Sequence, residues 1–238
     1  MKIGILKVDS VLEKLQEQHG DYPEMISKVL RSNAAFFETP LSFVTYDVEK
    51  EVYPLSVDEC DGYIIPGSRK SVYDDESWIR SLIEFVTKLD REKKKLVGIC
   101  FGHQIIAQAL GGKTEASVKG WGVGIHPVAI REKSWFPDPV PETYALPVSH
   151  KDQVTRLPTG AFLIASSKFC RCSMYGKERH IFSMQGHPEF TNQYASDLIN
   201  MRRDVLGEQV YKKGLDSISL KSDRDLVASW ILRFFLET

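Results

Sequence analysis

The strongest constraint on this chain is the alternation of short apolar runs with helical periodicity over residues 1–110. Residues 3–8, 41–48, 62–65 and 96–99 read as strands, the last of a fully buried type. Helical spacing covers residues 24–37 and 102–110, and residues 77–91, where Trp78, Ile79, Leu82, Ile83, Phe85, Val86 and Leu89 recur on one face. Strands that alternate with helices pair in parallel and need helices on both sheet faces. The character then changes. Residues 120–130, 144–148, 161–165, 169–175 and 180–184 are closely spaced strand candidates with turn residues between them. Residues 194–205 and 226–236 are helical, and Ser222 with Asp225 resembles a capping box for the last helix. The expected fold class is α/β: one domain with a mixed, mostly parallel central sheet flanked by helices, a β-rich second half and a helical C-terminal extension. We place the catalytic unit at residues 1–190 and the extension, packed on the same domain, at 191–238.

Composition narrows the function. Thirty-one Lys+Arg against 32 Asp+Glu leave a net charge of −1, which excludes a basic footprint spread over the whole surface and with it undirected nucleic-acid binding. No apolar run approaches the roughly 20 residues that cross a bilayer, and no secretory leader is recognisable, so a cytoplasmic location is expected. Of the four cysteines, Cys170 and Cys172 are expected on one face of a strand, without the further ligands a zinc site needs. Met201-Arg202-Arg203 and Lys212-Lys213 read as solvated basic faces. The apolar stripe Leu226, Val227, Trp230, Ile231, Phe234 and Phe235 reads as core packing, with a partner or dimer surface as the sharper alternative.

Gly98-Ile99-Cys100-Phe101-Gly102, set between a strand and a helix, has the form of a nucleophile elbow. A sharp strand-to-helix turn forces its central residue into a strained conformation and tolerates only small residues two positions either side. It lifts the thiol to a helix N-terminus, where the dipole and free N–H groups suit developing negative charge, and aims the Phe101 N–H at a forming oxyanion. Such a nucleophile needs a base, and the base an orienting group. His187 fits, because Pro188 biases it towards extended geometry and Glu189 can curl back to one imidazole nitrogen. Gly111-Gly112-Lys113-Thr114 lacks the first glycine of a phosphate loop and ends a helix instead of starting one. Gly4 stands alone, so a dinucleotide site has no support.

Gly98-Ile99-Cys100-Phe101-Gly102-His103-Gln104 together with Gln185-Gly186-His187-Pro188-Glu189 resembles the class I, triad-type glutamine amidotransferase superfamily, including the amidotransferase domain of GMP synthase. The resemblance runs from the first strand to about Phe190. It implies a Cys100–His187–Glu189 triad that attacks the side-chain amide of glutamine, releases ammonia and hydrolyses a γ-glutamyl thioester. It further implies an oxyanion hole from the Gly67 and Ser68 turn and the Phe101 N–H. Gln104, Ser149, His150 and Asp152 would hold the glutamyl moiety, Asp152 as acceptor for its ammonium. No metal or organic cofactor is implied. Family members often have Gly-Gly-Pro where this chain reads Gly67-Ser68-Arg69, and Gly where Lys151 stands. The segments 74–79, 89–95 and 99–104 are similar to the γ-glutamyl peptidase branch. Two active readings therefore stand: an amidotransferase that passes ammonia to a synthase subunit, and a free-standing hydrolase of γ-glutamyl peptides or glutathione conjugates. A catalytically silent binding module is the third. The substrate is glutamine or a γ-glutamyl compound, no nucleic-acid or membrane partner is expected, and a homo-oligomer is left open.

Overall fold

A computed structural model describes residues 1–34 and 40–237. Its elements are β1 (Lys2–Lys7), α1 (Glu13–His19), α2 (Tyr22–Ala34), β2 (Ser42–Asp47), β3 (Gly62–Ile65), α3 (Ser77–Arg91), β4 (Lys95–Ile99) and α4 (Phe101–Ala109). There follow β5 (Lys113–Ala116), β6 (Gly122–Ile130), β7 (Thr143–His150), β8 (Asp152–Arg156), β9 (Ala161–Ser166), β10 (Met174–Lys177) and β11 (Ile181–Met184). The chain closes with α5 (Asn192–Met201), α6 (Arg203–Leu206), α7 (Glu208–Ser217) and α8 (Arg224–Leu236). A nine-stranded sheet runs β2-β1-β3-β4-β11-β10-β9-β6-β7, and β5 pairs with β8 in a separate two-stranded sheet. The five strands from β2 to β11 are parallel, and the remainder antiparallel.

Alternation along each strand divides the core in two, as a two-sided sheet requires. Ile64, Val97 and Ile99 face the cluster formed with α2 and α8; Tyr63, Ile65 and Leu96 face α3 and α4. The C-terminal apolar stripe is core: Val227, Trp230, Ile231, Phe234 and Phe235 of α8 are buried in the first cluster, Trp230 stacked on Phe136 with centroids 4.0 Å apart. No helix among the described residues is long and apolar enough to cross a membrane.

Several expectations need correction. The helical pattern over 24–37 begins earlier, as α2, and its residues 35–37 lie outside those described. The strand expected over 169–175 is confined to β10. Cys170 and Cys172 precede it in bends, buried but on no strand face, because Ser167 and Ser173 hydrogen-bond the Cys170 backbone and close a turn there. The helix expected over 194–205 breaks after Met201 into α5 and α6. The capping box of α8 is absent. Asp223 is the N-cap, its carboxylate accepts from the Ala145 N–H at 2.9 Å, and the Ser222 hydroxyl finds no partner among the described residues.

Candidate active site

The carboxyl ends of four adjacent parallel strands, β1, β3, β4 and β11, converge on one place, as crevices in such sheets do. Cys100 follows β4 with φ 54° and ψ −102°, a left-handed conformation costly for a residue with a Cβ. The flanking glycines allow it. A Cβ on Gly102 would lie 2.1 Å from the Ile65 carbonyl oxygen, and one on Gly98 2.6 Å from that of Gly102. The Gly102 N–H donates to the Pro66 carbonyl at 3.1 Å and joins the elbow to the turn after β3. The Phe101 side chain is fully buried against Trp78, and no hydrogen bond among the described residues engages the N–H of Phe101 or of Ser68.

His187 and Glu189 follow β11, which runs beside β4 in register from Ile181↔Leu96 to Met184↔Ile99. The His187 Nδ1 lies 2.7 Å from Glu189 Oε1, and both side chains are almost wholly buried. Phe190 stacks on the imidazole at a centroid distance of 3.8 Å and 10° between planes. Gly67 presses against the same ring: a Cβ there would lie 2.9 Å from His187 Cε1 and 3.6 Å from Cys100 Cβ. Burial opposes charge on the ring, but the Glu189 carboxylate and the neighbouring Cys100 sulfur outweigh it and push the pKa up to about 10. The remaining Glu189 oxygen, Oε2, is buried without a partner among the described residues.

A pocket of about 270 Å³ opens over Cys100, lined also by Ser68, Gln104, Ser149, His150 and Asp152. The fold thus gathers the residues expected to hold substrate, yet each already has a hydrogen-bond partner within the protein. Gln104 donates both to the Asp152 carbonyl (2.8 Å) and to Gln185 Oε1 (3.1 Å). His150 is buried and gives its Nδ1 proton to the same carbonyl at 3.0 Å, and burial lowers its pKa to about 3. The Asp152 carboxylate accepts from Ser71 Oγ at 2.5 Å. His103, just after the elbow, is a neutral core group between Ser183 and Cys172.

Three neighbours of the site were not foreseen. Arg202, expected on a solvated face, is half-buried and lines the pocket; it donates to Ser149 Oγ at 2.6 Å and lies 5.5 Å over the Trp121 ring. Arg224 of α8 donates to the carbonyls of Pro188 (3.2 Å) and Glu189 (3.3 Å). Asp9, just past β1, is buried against Arg69. These pairs are 53, 36 and 60 residues apart in sequence, so no local pattern announces them.

Residues 20–201 match the family model "Glutamine amidotransferase class-I". A glutamine amidotransferase-like protein of Schizosaccharomyces pombe is 32% identical over 99% of this chain and 98% of its own length. Gamma-glutamyl peptidase 3 of Arabidopsis thaliana is 38% identical over 60% of each chain. A crystal structure of a glutamine amidotransferase from Thermotoga maritima superposes with a TM-score of 0.73 at 18% identity, over 99% of this chain and 96% of that one, and shares the fold. The chain belongs to the class I glutamine amidotransferase family.

Proposed function

We propose that this protein hydrolyses a γ-glutamyl amide through a Cys100–His187–Glu189 triad. The observation that carries the reading is a cysteine held at positive φ on a strand-to-helix elbow, beside a buried imidazole whose far nitrogen is fixed by a carboxylate at 2.7 Å. The Cys100 thiol gives its proton to His187, and the sulfur attacks the γ-carbonyl carbon. Negative charge then develops on the carbonyl oxygen, stabilised by the Phe101 N–H and the Gly67/Ser68 turn. His187 passes a proton to the departing nitrogen, the C–N bond breaks, and a γ-glutamyl thioester remains. Water then gives a proton back to His187, attacks the thioester, and glutamate leaves as the thiol re-forms. Glu189 fixes the tautomer and supports the imidazolium. Ser149 and Asp152, with Gln104 and His150 shaping the floor, hold the glutamyl group.

With glutamine as substrate the released amine is ammonia, which a separate synthase subunit would consume. A specific observation favours the second reading, a free-standing γ-glutamyl peptidase. Two cations lining the pocket, Arg202 and Lys151, have no ion-pair partner among the described residues, whereas Lys70 pairs with Glu76 and Arg69 with Asp9. Glutamine carries one carboxylate and a γ-glutamyl peptide carries two. The name of the Arabidopsis relative agrees with that count. The test is steady-state glutamate release from L-glutamine and from γ-glutamyl peptides, with wild type and Cys100→Ala side by side. Cys100-dependent release from peptides in preference to glutamine supports the peptidase, and the reverse supports the amidotransferase. Release that survives Cys100→Ala sinks the mechanism.

A further inference from the structure

The turn after β3 differs from the elbow in how it is held. Cys100 and Phe101 are fixed between a strand and a helix. Gly67, Ser68 and Arg69 belong to neither, and Gly67 adds no side-chain packing of its own. On its Cys100 side the turn is tied by the Pro66 carbonyl to the Gly102 N–H at 3.1 Å. On its other side it meets β1, the neighbouring parallel strand, where Asp9 lies two residues beyond the strand end.

The Asp9 carboxylate is nearly enclosed, and it closes on Arg69 from several directions. Oδ2 accepts from the Arg69 backbone N–H at 2.7 Å and from Nε at 3.0 Å; Oδ1 accepts from Nη2 at 2.7 Å and more distantly from Nε at 3.2 Å. The Ser10 N–H completes the shell on Oδ1 at 2.7 Å. A forked guanidinium on a buried carboxylate fixes direction as well as distance, and the backbone bond fixes the peptide plane that follows Ser68. Asp9 is not among the pocket's lining residues; Arg69 lines its rim, with its guanidinium turned onto Asp9.

We infer that Asp9 and Arg69 are positioning residues that set the Gly67/Ser68 turn at the distance an oxyanion needs, so that they act on acyl transfer through that turn. The inference rests on the proposed γ-glutamyl hydrolysis. An oxyanion donor is useful only within about 3 Å of where the charge appears, and misplacement by about 1 Å costs on the order of a hundredfold in rate. A turn free to drift would lose that advantage, while the sulfur and imidazole beside it would stay as they are.

The test uses the full-length chain and two reactions of Cys100 that differ in one respect. Hydrolysis of γ-glutamyl-p-nitroanilide passes through an oxyanion. Alkylation by iodoacetamide is a displacement at saturated carbon, and no oxyanion forms. Asp9→Asn and Arg69→Ala are each expected to lower kcat for hydrolysis by about tenfold to a hundredfold with KM within about twofold, and to leave the alkylation rate within about twofold of wild type. The double variant should be no slower than the worse single, because both break one contact. Arg69→Lys, which keeps the backbone bond and the charge, should recover part of the loss. Unchanged hydrolysis in the single variants overturns the inference. Alkylation that slows in step with hydrolysis also overturns it, since the whole site would then have collapsed. If wild type hydrolyses no γ-glutamyl amide through Cys100, the proposed function falls first and this inference with it.

Discussion

The strand ends and the pocket wall meet over Cys100 but are built on different footing. The proposed triad comes from the ends of β4 and β11, locked side by side by continuous parallel pairing; its side chains are buried, and His187 is hydrogen-bonded to Glu189. The wall comes from the β7–β8 turn, the loop before β6 and the C-terminal end of α5, and its key group is a half-buried guanidinium resting on Trp121. On the proposed reading, reaction chemistry sits where geometry cannot drift, and selection of substrate sits on elements that can change without disturbing it. The difference predicts that substitutions at the strand ends act on kcat, and those in the wall on KM.

The largest effect tests the first half of that statement. Cys100→Ala should lower glutamate release by about 10⁴-fold or more, measured against the uncatalysed rate, with the thermal transition unchanged. Glu189→Gln should cost roughly a hundredfold to ten-thousandfold in kcat and reshape the pH profile. With the carboxylate in place the His187 pKa lies near 10, so the ring keeps its proton for the departing amine up to about that pH and activity falls as pH rises through it. Removing the negative charge lowers that pKa, and the alkaline limb should move to lower pH. A limb that stays put would mean that Glu189 does not set the ring's charge.

Arg202→Ala tests the wall. KM for a γ-glutamyl peptide should rise about tenfold to a hundredfold, the loss of a charge-assisted hydrogen bond, with kcat within about threefold. A matching rise for glutamine would put Arg202 on the shared glutamyl half; a rise with peptides alone would put it on the leaving group. A fall in kcat of the same size would erase the contrast between wall and strand ends. Smallest is Arg224→Ala, which frees two carbonyls of the His-Pro-Glu segment and should lower kcat by about threefold to tenfold, on the scale of one or two modest hydrogen bonds.

What the sequence disclosed follows the same line. Gly98 to Gly102 and Gln185 to Glu189 are contiguous, and each abuts a strand, so residue spacing alone implied their shape. Residues 77–91 read as one helix because the apolar face is broad and regular, and α3 has those bounds. Arg202, Asp9 and Arg224 escaped because their meaning lies in partners brought near only by the folded sheet. The short strands β5 and β8 carry polar sequences, Lys-Thr-Glu-Ala and Asp-Gln-Val-Thr-Arg, and pair only with each other, so they lack the apolar alternation of a core strand. Helices α1 and α7 are short and bury one residue each, Leu15 and Gly214. Cys170 and Cys172 mislead for the opposite reason: a bend whose alternate residues turn inward looks like a strand when read as letters.

The stacking of Phe190 on His187, with Gly67 against the same ring, has a consequence for the order of events. An imidazole gripped in this way does not swing between two stations. In the proposed hydrolysis, the nitrogen that serves the departing amine must also serve the incoming water, at the same spot. Amine and water therefore take turns at a single doorway, and hydrolysis waits until the doorway clears. On that reading, any small amine that enters before water would meet the same thioester with the same base beside it, and the acyl group would pass to nitrogen instead of to oxygen.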